Sequence, residues 1–360
     1  MKILIITNHS YMLYRFRREL IAQLQAEHEV VLSMPFVGHE EDFQAMGLRC
    51  INTDVDRRGI NPKTDLKLMA AYRRLLRSER PDLVITYSIK PNIYAGMLCS
   101  MMKIPFCANV QGLGTAFQRK GLAQFVTVLY RTALKKAKAV FFENEGNAQE
   151  FADRKILPRG QITVLPGAGI NLERYPLTPY PDNRQVRFLY LGRIMKEKGI
   201  DELFAAMRRL YAELGDQVHL DLVGFFDDNY EAEVHQLVEA GIATFHGFQP
   251  EPRPYYAAAD CIVLPSYHEG LSNVLLEAAA TGRPVITSDI HGCKEAVDPG
   301  VSGLLCRVRD ADDLYQKLRQ MASLTRQERE AMGLAGRQKV QREFEKTMVV
   351  RKTIDTIFAE

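Results

Sequence analysis

The chain reads as an α/β protein made of two Rossmann-like domains joined by a linker, and three observations predict it. Its 360 residues exceed one ordinary core, and at about 150–200 residues per domain they point to two. In both halves, β-rich runs alternate with segments of helical apolar period. That alternation is the mark of βαβ units on a parallel sheet with right-handed crossovers. Between the two series, LPGAGINLERYPLTPYPDNRQ (165–185) holds four prolines, two glycines and no apolar period, so it reads as the linker.

The first series runs KILIIT (2–7), EVVLSM (29–34), LVITYS (83–88), FCANV (106–110) and AVFFEN (139–144), strands by their Val, Ile and Phe content. RFRRELIAQLQAE, LKLMAAYRRLLRSER and FVTVLYRTALKKA lie between them with apolar residues at helical spacing. The second series is VRFLYLG (186–192), VHLDLVG (218–224), ATFHG (243–247), CIVLPS (261–266), PVITS (284–288) and SGLLC (302–306). A long helical run, about 325–360, closes the chain. Two such domains flank a cleft, and ligands of doubly wound sheets bind at the carboxyl ends of the strands.

Composition bounds the class. Apolar residues make up 46% and charged residues 25%, as in a soluble globular protein. No uncharged apolar stretch reaches the length of about 18 residues that spans a bilayer. MKILIITNHS reads as a first strand, since no small-residue cleavage site follows a long apolar core. Six cysteines without a CxxC pair suit reduced thiols in a cytoplasmic protein. The net charge of +3 hides an asymmetry: residues 1–170 carry 24 Lys/Arg against 15 Asp/Glu, and residues 171–360 carry 23 against 29. A basic first half suggests an anionic partner such as a membrane surface, a diphosphate or nucleic acid; solvated helix faces are the plainer alternative.

The turn after the first strand, NHSYMLYRFRREL, has no glycine, and QGLGTAF (111–117) lacks the third glycine of a dinucleotide fingerprint. Neither a nicotinamide nor a flavin cofactor is expected, and GxxxxGK[ST], GxSxG and HExxH are missing too. In LGRIMKEKGIDEL (191–203), Arg193 and Lys198 lie on the loop between a strand and a helix at about Ile200. Two cations beside a helix N-terminus can hold a diphosphate, or they are simply a solvated βα loop. In SYHEGLSNVLLEAAATGRPVIT (266–287), the turn Gly270-Leu271-Ser272-Asn273 opens a helix that Ser272 or Asn273 can cap and Gly282 closes. The N–H groups of that turn form an anion hole with Glu269 at its mouth. Glu277, inside an otherwise apolar run, can accept two hydrogen bonds from adjacent hydroxyls such as those of ribose, or it is exposed or caps a neighbour.

Taken together, GR(x4)KG, LPSYHEGLSNVLLEAAATGRPVI with its Glu-x7-Glu spacing, DIHGCKEAV and SGLLC resemble the retaining nucleotide-sugar glycosyltransferases of family 4, which have the GT-B fold. YRFRREL, DRRGINPKTDL, PDLVITYSIKPNIYAG and QGLGTAF are similar to a bacterial branch that adds N-acetylhexosamine or hexose to lipid-diphosphate-linked saccharides in capsule, O-antigen or glycan assembly. The resemblance implies residues 1–170, joined by the last helix (about 343–360), as the acceptor domain and 171–342 as the donor domain. It implies a UDP-sugar as donor, with Arg193 and Lys198 neutralising its diphosphate, Glu277 holding the ribose, and Glu269 with Gly270, Leu271, Ser272 and Asn273 contacting sugar and phosphate. Glu269, Arg193 and Lys198 are its catalytic candidates, and it implies no metal and no cofactor. FFDDN (225–229) is then no metal site, and Asp227 and Asp228 read as loop solvation. HGCKEAV (291–297) lines the donor site through backbone, and Lys294 and Glu295 read equally well as a surface pair.

Many relatives carry a histidine after a first-domain strand where this chain has ANVQGLGTAF. His9 is then a substrate contact or a helix cap, and His9, Arg15, Arg17, Lys90, Asn109 and Gln111 are the acceptor candidates. Arg18, Arg57, Arg58 and Lys63 join Arg15, Arg17 and Lys90 as candidates for phosphate or lipid headgroups. The expected partners are the donor, a lipid-linked saccharide acceptor and the anionic inner face of the cytoplasmic membrane, with the protein cytoplasmic and peripheral on it. No nucleic-acid module is present. Two other functions fit: a nucleotide-sugar 2-epimerase of the same architecture, and a non-catalytic nucleotide-sugar-binding scaffold.

Overall fold

The structure, a computed structural model, describes residues 1–56, 61–113, 117 and 120–359. The chain divides into two compact units, Met1–Ala168 with Met348–Glu360, and Gly169–Thr347.

In the first unit the chain alternates β1 (Lys2–Ile6), α1 (Ser10–Gln25), β2 (Glu29–Met34), α2 (Glu40–Ala45), β3 (Arg49–Asn52), α3 (Pro62–Glu79), β4 (Leu83–Tyr87), α4 (Gly96–Met102), β5 (Phe106–Val110), α5 (Lys120–Leu134), β6 (Ala139–Phe142), α6 (Glu145–Asp153) and β7 (Ile162–Val164). The seven strands pair in parallel in the order β3-β2-β1-β4-β5-β6-β7. Strand order reverses between β1 and β4, the position where doubly wound sheets open a crevice. The central strands are buried on both faces, as parallel strands between helical layers must be. β3 and β7 carry no long apolar run, because each is a short edge strand with half-buried or exposed residues, and the composition rule misses both.

The second unit runs β8 (Val186–Leu191), α7 (Ile200–Leu214), β9 (Val218–Val223), α8 (Glu231–Glu239), β10 (Ala243–Phe245), α9 (Arg253–Ala258), β11 (Cys261–Leu264), α10 (Asn273–Ala280), β12 (Val285–Ser288), β13 (Gly303–Cys306), α11 (Ala311–Ser323) and α12 (Arg326–Glu343). Its parallel order, β10-β9-β8-β11-β12-β13, reverses between β8 and β11. The terminal helical run is two helices. α12 starts on a Thr325/Glu328 capping box and ends at Phe344, and α13 (Lys346–Phe358) follows. From Val349 onward, α13 packs Val349, Val350 and Ile357 into the first unit's core with Leu20 and Leu24 of α1.

The expected linker is no loose connector. Residues 165–185 hold no helix or strand, yet Tyr175 and Tyr180 are buried and the Tyr180 hydroxyl donates to the Asp260 carbonyl at 2.6 Å. Arg283 is fully buried and donates to the carbonyls of Thr178, Pro179, Ala257 and Thr281. One guanidinium thus satisfies the backbone of the strap and the end of α9, groups that would be costly to bury unpaired.

Candidate functional site

The loops that leave β8 and β11 emerge side by side where the second sheet reverses its order. Three glycines let them close on each other and on their neighbours. A Cβ on Gly224 would lie 1.8 Å from the Gly192 carbonyl oxygen, so the turns after β8 and β9 touch backbone to backbone. Gly199, at φ 72°, would place a Cβ 2.0 Å from the Pro265 oxygen. Gly292, at φ 90°, would place one 2.5 Å from the Gly270 oxygen. Only residues without a side chain permit these approaches in the left-handed region.

Two ion pairs span the loops. Lys198 Nζ lies 2.5 Å from Glu269 Oε1, with 17% and 13% of the side chains exposed, and Ser266 Oγ donates to the same oxygen at 2.8 Å. Arg193 Nη1 lies 2.7 Å from Asp227 Oδ2, its own side chain 47% exposed. Asp228 accepts from the Lys196 N–H at 2.9 Å. Asp227 and Asp228 are therefore not loop solvation: they fasten the FFDDN turn to the loop that carries Arg193 and Lys198.

The turn ahead of α10 has the expected place but a different bonding pattern. Ser272 occupies the N-cap without a side-chain cap bond, and its N–H donates to the Gly292 carbonyl at 2.8 Å. The donors this helix end can offer to an anion are therefore those of its first turn, from Asn273 onward, which have no partner carbonyl four residues back within the helix. Glu277 lies 4% exposed on α10, and the Tyr256 hydroxyl donates to its Oε2 at 2.8 Å. Of the readings open for Glu277, exposure is excluded. Glu295 pairs with His291 and accepts the Gly292 N–H, while Lys294 faces Asp289, so Lys294 and Glu295 are not a pair with each other.

Sequence reading missed Tyr256 and Ser266, while Gly292 lies in HGCKEAV, the segment expected to act through backbone. Ser266, three residues before Glu269, was within reach of inspection; Tyr256 is brought in by tertiary packing alone.

The first-unit candidates divide differently. His9 takes the N-cap position of α1 with no side-chain cap bond, and its ring lies edge-on to Tyr11 at 6.1 Å. Arg15 donates to the Tyr11 hydroxyl at 3.4 Å. Arg17 corrects the sequence reading: it is 3% exposed, bonded to Glu143 Oε1 at 2.6 Å and set over the Tyr87 ring, so it is a core ion pair and not a surface cation. Lys90 is held by Asp65 at 2.8 Å. Asn109 is 3% exposed in a buried network, where its amide donates to the Thr86 carbonyl and its own carbonyl accepts from Asn92. Gln111 follows β5 and, with Asn8, Ser88, Lys90 and Asn92, lines a cavity of about 210 Å³ at the carboxyl ends of β1, β4 and β5. Arg57 and Arg58 lie outside the described residues, as do Gly114, Thr115 and Ala116 of QGLGTAF.

Among the described residues, no cluster of three or more His, Cys, Asp or Glu is placed to hold a metal ion, and no helix is long and apolar enough to cross a membrane.

Comparison with known proteins follows this division. A "Glycosyl transferase 4-like domain" model matches residues 15–168, and a "Glycosyl transferases group 1" model matches residues 185–323. The N,N'-diacetylbacillosaminyl-diphospho-undecaprenol alpha-1,3-N-acetylgalactosaminyltransferase of Campylobacter jejuni is 28% identical over 85% of each chain. The capsular polysaccharide biosynthesis glycosyltransferase CapM of Staphylococcus aureus is 25% identical over 81% of this chain and 80% of its own. Among solved structures, Anabaena HepE in complex with UDP and glucose superposes with a TM-score of 0.83 over all of both chains at 16% identity.

Proposed function

We propose, for a chain that is a glycosyltransferase of the GT-B fold, that it moves a hexose or N-acetylhexosamine from a UDP-sugar to a polyprenyl-diphosphate-linked saccharide, keeping the anomeric configuration. One observation carries the reading: the Lys198–Glu269 pair, 2.5 Å across, joins the loops leaving β8 and β11 at the reversal point of the sheet, next to the first turn of α10. In this reading Arg193 and Lys198 take the donor diphosphate together with that helix end. Glu269 takes hydroxyls of the donor sugar, and Glu277, positioned by Tyr256, takes those of the ribose.

The chemistry asked of these residues is electrostatic. As the bond from the anomeric carbon to the diphosphate oxygen breaks, charge grows on the leaving group, and Arg193 and Lys198 stabilise it from fixed positions. The acceptor hydroxyl attacks the anomeric carbon from the face the diphosphate leaves, and its proton passes to the departing phosphate oxygen. No protein nucleophile and no metal is assigned a role.

The acceptor class is supported by the Campylobacter relative, an N,N'-diacetylbacillosaminyl-diphospho-undecaprenol alpha-1,3-N-acetylgalactosaminyltransferase. His9, Arg15 and Gln111 are the first-unit residues that retain an acceptor role in this reading, and the protein works at the anionic inner face of the cytoplasmic membrane. Thermal-shift screening against UDP-, GDP- and ADP-sugars, followed by turnover on an undecaprenyl-diphosphate saccharide with and without a chelator, tests it. Stabilisation by UDP-sugars and chelator-insensitive transfer are expected. Preference for another nucleotide, or transfer abolished by the chelator, would overturn the corresponding part.

A further inference from the structure

From Leu83 to Phe142 the chain contains eight Lys or Arg residues and no Asp or Glu. This stretch builds α4 and α5, which pack on one another: Ser100 Oγ reaches the Ala133 carbonyl at 3.4 Å, and a Cβ on Gly96 would sit 3.4 Å from the same oxygen. α5 buries Ala123, Val126, Tyr130, Ala133 and Leu134 against the sheet. On its opposite side, where a surface helix ordinarily turns polar, it presents Phe125 at 50% exposure and Val128 at 56%, one turn apart. At the end of α4, Met101 is 75% exposed.

The exposed cations gather at one end of this layer. Lys103 follows α4, and Lys135, Lys136 and Lys138 follow α5. These two segments lead into neighbouring parallel strands, with Cys107 paired to Ala139 and the Lys138 N–H on the Phe106 carbonyl, so they are adjacent. Lys135, directly after the end of α5, lies about 15 Å along the helix from Phe125 at 1.5 Å per residue.

We propose that the outer face of α4 and α5 docks on an anionic lipid bilayer, Phe125, Val128 and Met101 entering the interface and the lysines at the helix ends meeting headgroups. The inference rests on the lipid-linked acceptor of the reading above and adds which face meets the membrane. An exposed apolar stripe with cations at its end suits an interfacial helix, and cations near an anionic leaflet add to the attraction. A second copy of the chain fits poorly, because a two-fold contact would bring these lysines close to their own copies. Of the charged residues named for the membrane from sequence, Arg17 and Lys90 are held by Glu143 and Asp65 and do not belong to this face.

Co-sedimentation of the full chain with phosphatidylethanolamine–phosphatidylglycerol vesicles, against pure phosphatidylcholine, tests the proposal. Binding to the anionic vesicles alone is expected, weakened about tenfold or more by Phe125→Ser with Val128→Ser and, separately, by Lys135→Glu with Lys136→Glu. Thermal melting of each variant checks that it folds, and UDP affinity is measured on the same samples. No binding by the parent chain, equal binding to phosphatidylcholine, unchanged binding in both variants, or a parent dimer that the substitutions dissociate would each overturn it. If UDP still binds in those cases, this docking face fails alone; if UDP does not bind, the donor reading fails with it.

Discussion

The two units share an architecture and differ in how their chemistry is built. In the second unit, polar and charged side chains hold one another across loops and helices: Glu269 with Lys198 and Ser266, Arg193 with Asp227, Glu277 with Tyr256. Three glycines press these loops together backbone to backbone. In the first unit, the polar residues best placed by sequence have become structure: Arg17 with Glu143, Lys90 with Asp65, Asn109 with Thr86 and Asn92. A donor diphosphate asks for fixed charge in one place, and short motifs with set spacing can supply that. A lipid-borne acceptor asks for a surface of mixed character, and no short motif encodes such a surface.

The sharpest way to break this comparison is to remove an arginine from each unit. Arg17→Ala should cost the first unit about 3–5 kcal/mol, the penalty of breaking its largely buried ion pair with Glu143, read as an earlier urea transition. UDP binding by the second unit should persist. Arg193→Ala should do the reverse, lowering turnover by about 10²-fold or more with a smaller loss of stability than Arg17→Ala, since the Arg193 side chain is 47% exposed where Arg17 is buried. Near-normal turnover would remove Arg193 from the diphosphate clamp.

Glycines sharpen the contrast at smaller amplitude. Gly199→Ala drives a Cβ into the Pro265 carbonyl and strains a left-handed residue, so a loss of about 1–3 kcal/mol is expected in the second unit. Gly121→Ala, on the exposed side of α5 with nothing within 4 Å of the new Cβ, should gain about 0.5–1 kcal/mol. Differential scanning calorimetry resolves both, and two losses or two gains would contradict the packing described.

The smallest effect is a pH dependence. Burial on β9, outweighing the nearby Asp221, pulls the His219 imidazole below its ordinary range. The unfolded chain then takes up a proton near pH 6.5 that the folded chain still refuses, so this stability is present above that pH and is lost as pH falls towards the lower folded value. His219→Gln should flatten the second unit's melting curve against pH in that window; an unchanged slope would count against it.

How much of this was legible in sequence follows the same line. The doubly wound architecture and the central strands were legible, because parallel strands buried on both faces read as apolar runs between helical periods. The edge strands β3 and β7 were not, since half-exposed short strands lack that signature. Arg193, Lys198, Glu269 and Glu277 stood out by spacing. Their supports did not: Tyr256 comes from α9 and Asp227 from the loop after β9, 21 and 34 residues from the groups they hold. Arg283, inside a motif singled out for its acids, gave no sign that it would be fully buried. Arg17 was misread because a cationic run on a helix looks solvated until a distant Glu143 is folded onto it.

The central claim is that Lys198 and Arg193 exist to hold phosphate charge. Calorimetric titration with UDP and with uridine, on the parent chain and on Lys198→Ala, tests it most directly. The account predicts that UDP binds the parent far more tightly than uridine does, and that Lys198→Ala weakens UDP about tenfold or more while leaving uridine unchanged. Equal losses for both ligands, or none for either, would contradict it.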